Sequence, residues 1–133
     1  MQISIRNTIE QCARQSCEGL ISFGQVVGNL MQAGVESYHA DYRQPATTYY
    51  LPTNENMSLV LDVPEVQISE QFDKVALQDA IRGAQRGEVK YRQFVELSMK
   101  AGCIGYFVWI KGRHVSYYGR KGEVHIEPFP DTN

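Results

Sequence analysis

Apolar positions along the chain recur first at helical spacing and then in alternation, and the pair of patterns occurs twice. Over residues 3–18, Ile5, Ile9, Cys12, Ala13 and Cys17 keep near-helical spacing up to Gly19. Residues 23–33 carry Phe23, Val26, Val27, Leu30 and Met31; Ser22 precedes them as an N-cap, with Gln25 as its capping-box partner and Gly34 as the stop. Alternation then predicts strands over residues 35–43, with Tyr38, Ala40 and Tyr42 on one face, and over 47–51 and 57–63. Residues 64–72, with Pro64 at their head, read as a connection, its core at 64–69. The second half reads the same way: helices over 70–86 and 91–101, strands over 103–111, 113–119 and 123–129, turns at Gly112 and Gly122, and a frayed tail over 130–133.

The second pattern is a near copy of the first at an offset of 68 residues, set by Gly34 and Gly102. Arg14, Gly19, Gln25, Val27, Met31, Ala33, Gly34, Tyr38, Tyr49, Tyr50 and Glu55 all have an identical residue at that offset, 11 identities across the 42 positions 14–55 without a gap. Two copies are fewer than the roughly three that a solenoid needs to bury its faces. The expectation is therefore a single α+β domain over 1–133: an internally duplicated helix–helix–three-strand unit (half one about 3–63, half two about 70–130), a pseudo-twofold axis, and an antiparallel sheet backed by helices.

Charge narrows the partners. Thirteen Lys and Arg against 15 Asp and Glu leave a net charge of −2, which supplies no footprint for nucleic acid or an anionic membrane. No apolar run approaches the length of a membrane span, and residues 1–15 lack the apolar core of a signal peptide. Three cysteines without a Cys-x-x-Cys pair fit a reducing compartment, so a cytoplasmic location is expected.

Candidate chemistry lies where the two copies differ. His39, Asp41 and Arg43 share the outer face of the first strand, and their counterparts are Phe107, Trp109 and Lys111. The polar row suits a His oriented by a carboxylate, two ligands of a metal, or a solvated strand face. The aromatic row needs covering by the helices, a ligand or a partner chain. Glu123, His125 and Glu127 form a second row, able to hold a divalent cation or to protect an edge strand; a metal site would require His39 and His125 to meet across the axis. Cys103 has Val35 as its counterpart and reads as a small buried hydrophobe before it reads as a nucleophile. The Tyr49-Tyr50 and Tyr117-Tyr118 pairs each send one ring inward and one outward, and Arg43 and Arg113 stand where they could clamp an anion. No glycine-rich phosphate loop is present.

The runs AGVESYHADYRQPATTYYLP and AGCIGYFVWIKGRHVSYYGRKGEVHIEPFP carry an AG-x-x-x-Y step after a helix, D-x-R and TYY-L-P elements, and a G-R-x-x-x-Y-x-G-R stretch. In these the chain resembles the YbcV-like family of small bacterial and prophage-borne proteins, sometimes labelled phage envelope proteins, from about Ile9 to Pro130. The resemblance implies one α+β domain in a bacterial cytoplasmic or prophage setting, and brings no activity, cofactor or catalytic residue with it.

The function expected from these readings is non-catalytic binding of a small molecule or protein partner, through the open sheet face or a cleft between the halves. The residues expected to carry it are His39, Asp41, Arg43, Tyr49, Trp109, Arg113 and Tyr117. Neither cofactor nor metal is implied, Glu123 and His125 being the weak metal candidates, and a homodimer is compatible. The alternatives are a small hydrolase or isomerase using His39 with Asp41, or a metal at His125 and Glu123, and an assembly protein acting through Phe107 and Trp109.

Overall fold

The computed structural model describes residues 1–130, so the tail expected over 130–133 lies almost wholly outside the described residues. In chain order the elements are α1 (Ile3–Cys17), α2 (Phe23–Gln32), β1 (Ser37–Asp41), β2 (Ala46–Tyr50) and β3 (Asn56–Val60), followed by α3 (Lys74–Gln85), α4 (Tyr91–Lys100), β4 (Cys103–Trp109), β5 (His114–Gly119) and β6 (Val124–Pro128). The fold is α+β. All strand pairs are antiparallel, in the order β3-β2-β1-β4-β5-β6. The offset of 68 carries the bounds of α2 onto α4 and of β3 onto β6 without remainder.

Local chemistry accounts for the helix ends. Ser22 Oγ accepts from the Gln25 N–H at 3.2 Å and Gln25 Oε1 accepts from the Ser22 N–H at 2.8 Å, the reciprocal box that the spacing predicts. Asp73 caps α3 by accepting from the Ala76 N–H at 3.0 Å, so that helix starts at Lys74 and not at residue 70. Residues 69–73 run instead against the end of α4, where the Ser69 and Asp73 N–H groups donate to the Met99 and Ala101 carbonyls. The strands are also shorter than alternation predicts. Asp41 Oδ1 accepts from the N–H groups of Arg43 and Gln44 and closes β1 into a turn two residues early.

The two halves join through β1 and β4, whose register is twofold-symmetric: Ser37 faces Trp109, His39 faces Phe107 and Asp41 faces Gly105. His39 and Phe107, counterparts at the offset of 68, sit opposite one another, and the local axis passes through that pair. Because the central strands are hydrogen-bonded directly, the sheet runs through the junction without the cleft that the sequence left open.

The helices cover one face only. Ile9, Leu30, Leu77 and Val95 are fully buried against the inward row of the sheet, which includes Tyr38, Ala40, Tyr106 and Val108. The connection's Val66, Ile68 and Phe72 pack against the same core. Six tyrosines lie on this side. The Tyr91 and Tyr106 hydroxyls are 2.7 Å apart, the Tyr42 hydroxyl meets Ser98 Oγ at 2.8 Å, and Tyr38 stacks on Tyr49. No helix among the described residues is long and apolar enough to cross a membrane.

Candidate functional site: the open face of the sheet

Strand register sorts every residue to a face, since directly opposed residues point the same way and neighbours along a strand point opposite ways. Three rows cross the face away from the helices. The central row is Ser58, Thr48, His39, Phe107, Ser116 and Ile126. One flanking row is Asn56, Tyr50, Ser37, Trp109, His114 and Pro128; the other is Val60, Ala46, Asp41, Gly105, Tyr118 and Val124. Among these eighteen described positions the one charged side chain, histidines aside, is Asp41.

Aromatic rings gather at the middle. Phe107 stacks on Trp109 with centroids 3.9 Å apart and planes within 2°; His39 stacks on Phe107 at 5.2 Å and Tyr50 at 6.1 Å. Trp109 Nε1 donates to Ser116 Oγ at 3.2 Å, and Thr48 and Ser58 pair their hydroxyls at 2.8 Å. Apolar side chains line the β6 margin, with Ile126 56% and Val124 38% exposed, and Val60 at the β3 margin is 91% exposed. Packing the ring faces against one another leaves a broad, shallow, nearly neutral surface, with no slot between rings for a flat ligand.

The residues expected to bind divide across this geometry. His39, Asp41 and Trp109 are on the open face together. Tyr49 and Tyr117 are not: both point under the helices, 5% and 7% exposed, and the outward ring of each pair is Tyr50 or Tyr118. Alternation in the sequence groups Thr47, Tyr49 and Leu51 on one face and Val115 and Tyr117 on another, and the structure turns both of these faces inward. Arg43 does not continue the β1 row; it lies exposed in the turn after Asp41. Arg113 also lies in a turn, at φ 59°, with its guanidinium 5.7 Å from the centre of the Phe129 ring. Asp41 spends an oxygen on its own turn, so it does not orient His39 through that atom. Phe107 and Trp109 are not core beneath the helices, one of the readings their sequence allowed, because they face the other way.

His125 belongs to the helix side, opposite His39's face, so the two histidines do not meet across the axis. Its partner is Glu127. The carboxylate takes His125 Nε2 on one oxygen at 3.2 Å and the Arg82 guanidinium on the other at 2.8 Å. With a side chain only 11% exposed, Glu127 needs both partners to offset its desolvation. Arg82, which the sequence does not single out, makes this a satisfied ion cluster. Glu123 stands just before β6; its own backbone N–H, and then the Lys121 N–H that it accepts at 2.8 Å, hold its carboxyl below the usual range. Among the described residues no three His, Cys, Asp or Glu side chains are grouped to hold a metal ion. Cys103 is buried, donates to the Gly105 carbonyl, and has its thiol pushed up to about 11 by desolvation, so it is a poor nucleophile.

Two shallow grooves of about 370 and 380 Å³ lie in the helix layer, at equivalent places in the two halves. Thr8, Gln11, Cys12, Gln15, Asn29, Gln32 and Ala33 line the α1–α2 groove, and their counterparts at the offset of 68 all line the α3–α4 groove. Amides dominate the first, whereas Asp79, Arg86, Glu88 and Lys100 rim the second.

Residues 22–128 match the family described as "Protein of unknown function (DUF1398)". The chain belongs to this family. The matched span contains the whole sheet and three of the four described helices, so the open face is part of the DUF1398 domain. Similar proteins include "Uncharacterized protein Rv2012" of Mycobacterium tuberculosis (strain ATCC 25618 / H37Rv) and "Uncharacterized protein Mb2035" of Mycobacterium bovis. Each is 29% identical over 83 residues, which cover 62% of this chain and 49% of the relative. The matched stretch thus spans about half the length of the curated relatives.

Proposed function

We propose that this DUF1398 chain is a non-catalytic binding domain whose partner is a protein surface seated on the open face of the sheet. The observation that carries the reading is the near absence of charge there: one carboxylate in eighteen positions, around stacked aromatic rings. A sheet face that stays in water is ordinarily dressed in Lys, Glu and Thr, whereas depletion of charge with enrichment of aromatics marks the centre of an interface. Flatness favours a protein over a small molecule, which needs a concave site to bury most of its own surface. The catalytic alternative lacks such support, since Asp41 is engaged by its turn and the His125–Glu127–Arg82 cluster is internally satisfied. The same reading sets the chain in the YbcV-like part of the family, for the sequence runs quoted above, and in the cytoplasm, where its three free thiols persist.

The test uses anilinonaphthalene sulfonate, a dye for uncovered apolar surface, and the chain's single tryptophan. Trp109 lies on the face, so dye seated there receives energy from it. At submicromolar protein, native chain is expected to bind dye with transfer from Trp109, Phe107→Ser to lose most of that signal, and Val75→Ser on the exposed side of α3 to retain it. Equal loss in both variants, or no transfer in the native chain, would overturn the reading.

A further inference from the structure

The structure assigns the open face a specific occupant: we propose that it is a second copy of this chain, packed face to face with β6 over the partner's β6. The inference rests on the reading of the face as a binding surface. Of the twofold axes lying in the plane between two such faces, one makes them complementary.

The face is asymmetric from margin to margin. Its β6 side is apolar, with Val124, Ile126 and Pro128; its β3 side carries Asn56 and Ser58 beside Val60. An axis along the strands would lay β3 on β6, with Ser58 over Ile126, and bring the two Asp41 carboxylates to about one strand spacing from each other. An axis along the central row keeps each strand over its own copy and exchanges the two flanking rows. Trp109 then lies over Gly105 of the second copy, and Tyr50 over Ala46, so a large ring meets a position with little or no side chain in each case. His114 lies over Tyr118, and Pro128 over Val124. Asp41 falls over Ser37, so the two carboxylates are kept apart. Phe107 meets Phe107 at the centre, and Ile126 meets Ile126 at the margin. This is the aligned sheet-on-sheet packing of a sandwich, with large rings set over small positions at Trp109 and Tyr50.

The area suffices. Six strands at about 4.8 Å spacing and five residues at about 3.4 Å give a face of roughly 500 Å², so two copies cover about 1,000 Å² of flat projection before side-chain relief is counted. That is the lower bound for a specific interface, so the association is expected to be reversible and dependent on concentration.

Ile126 provides the test, because it is 56% exposed and can be changed without touching the core. Sedimentation over a concentration series is expected to show a monomer–dimer equilibrium, with Trp109 emission shifting to the blue and dye binding falling as dimer forms. Ile126→Lys and Ile126→Glu should each weaken self-association at least about tenfold by setting like charges opposite each other, and an equimolar mixture should recover it as a heterodimer. A chain that stays monomeric at every concentration while keeping dye transfer from Trp109 would overturn the second-copy inference and leave the binding-face reading intact. A monomer without dye transfer would overturn both. A dimer with unshifted Trp109 emission, or a mixture that recovers nothing, would overturn the arrangement.

Discussion

At the scale of single residues, two helix-ending glycines show how one local requirement can carry different structural costs. Gly34 and Gly102 both end a helix in the left-handed region, at φ 92° and 91°. A Cβ on Gly34 would meet open space, whereas one on Gly102 would overlap the Gln71 carbonyl oxygen and crowd Phe72 Cα, because the connection between halves passes over that turn alone. Gly34→Ala is therefore expected to cost only the conformational penalty, about 1–2 kcal/mol. Gly102→Ala adds a backbone clash that no side-chain rotation relieves, and should cost clearly more, upward of about 3 kcal/mol. Urea unfolding of the two variants side by side checks this; equal losses would mean that the connection is free to move away. The glycine at each position was legible from its place after a helix, but the clash was not, since it depends on where a segment some thirty residues upstream comes to rest.

Elements depend on their ends as well as on their apolar stripes. The Ser22–Gln25 box satisfies two backbone donors at the start of α2, whereas Lys90, which precedes α4 at the corresponding place, makes no side-chain cap. Ser22→Ala is expected to lower stability by about 1 kcal/mol, with amide exchange faster in the first turn of α2 than in its last. Unchanged protection at Val26 and Val27 would show that packing alone holds that end. The box could be read directly from the spacing, because its partners lie three residues apart. The early closure of β1 by Asp41 and the late start of α3 at Lys74 were harder to read. Alternation continues through Arg43, and helical spacing extends back to residue 70, yet side-chain hydrogen bonds at Asp41 and Asp73 take the backbone elsewhere.

For the molecule as a whole, six phenols are part of the helix-side core or pack against it. Burial raises the Tyr38, Tyr42, Tyr49, Tyr106 and Tyr117 hydroxyls well above the ordinary value near 10, and pushes Tyr91 up to about 12. An acid whose value is raised in the folded state favours folding only while it stays protonated. This contribution is thus complete below about pH 10, where the unfolded phenols begin to ionise, and is lost as pH climbs through 12 toward the higher folded values. Ultraviolet titration of phenolate absorbance should show these six tyrosines ionising together with loss of the fold above pH 11. Gradual ionisation of the six with the fold intact would mean that the core admits water. The open face, by contrast, is held by no helix, and its proposed partner surface is another sheet.

Sequence alone determined the two-fold succession of helices and strands, the capping box, the glycine stops and the absence of a charge pattern suited to nucleic acid, because each depends on residues close together in the chain. It also put His39 with Asp41 on one face of their strand and Phe107 with Trp109 on one face of theirs, since alternation needs no partner. Only the tertiary structure decided that Phe107 and Trp109 lie away from the helices, that Tyr50 and Tyr118 rather than Tyr49 and Tyr117 face outward with them, and that His39 and His125 are on opposite faces. The reason is register. A strand's own pattern separates its two faces, but pairing with residues as much as 72 positions away decides which face meets the helices, and a slip of one residue would reverse every assignment.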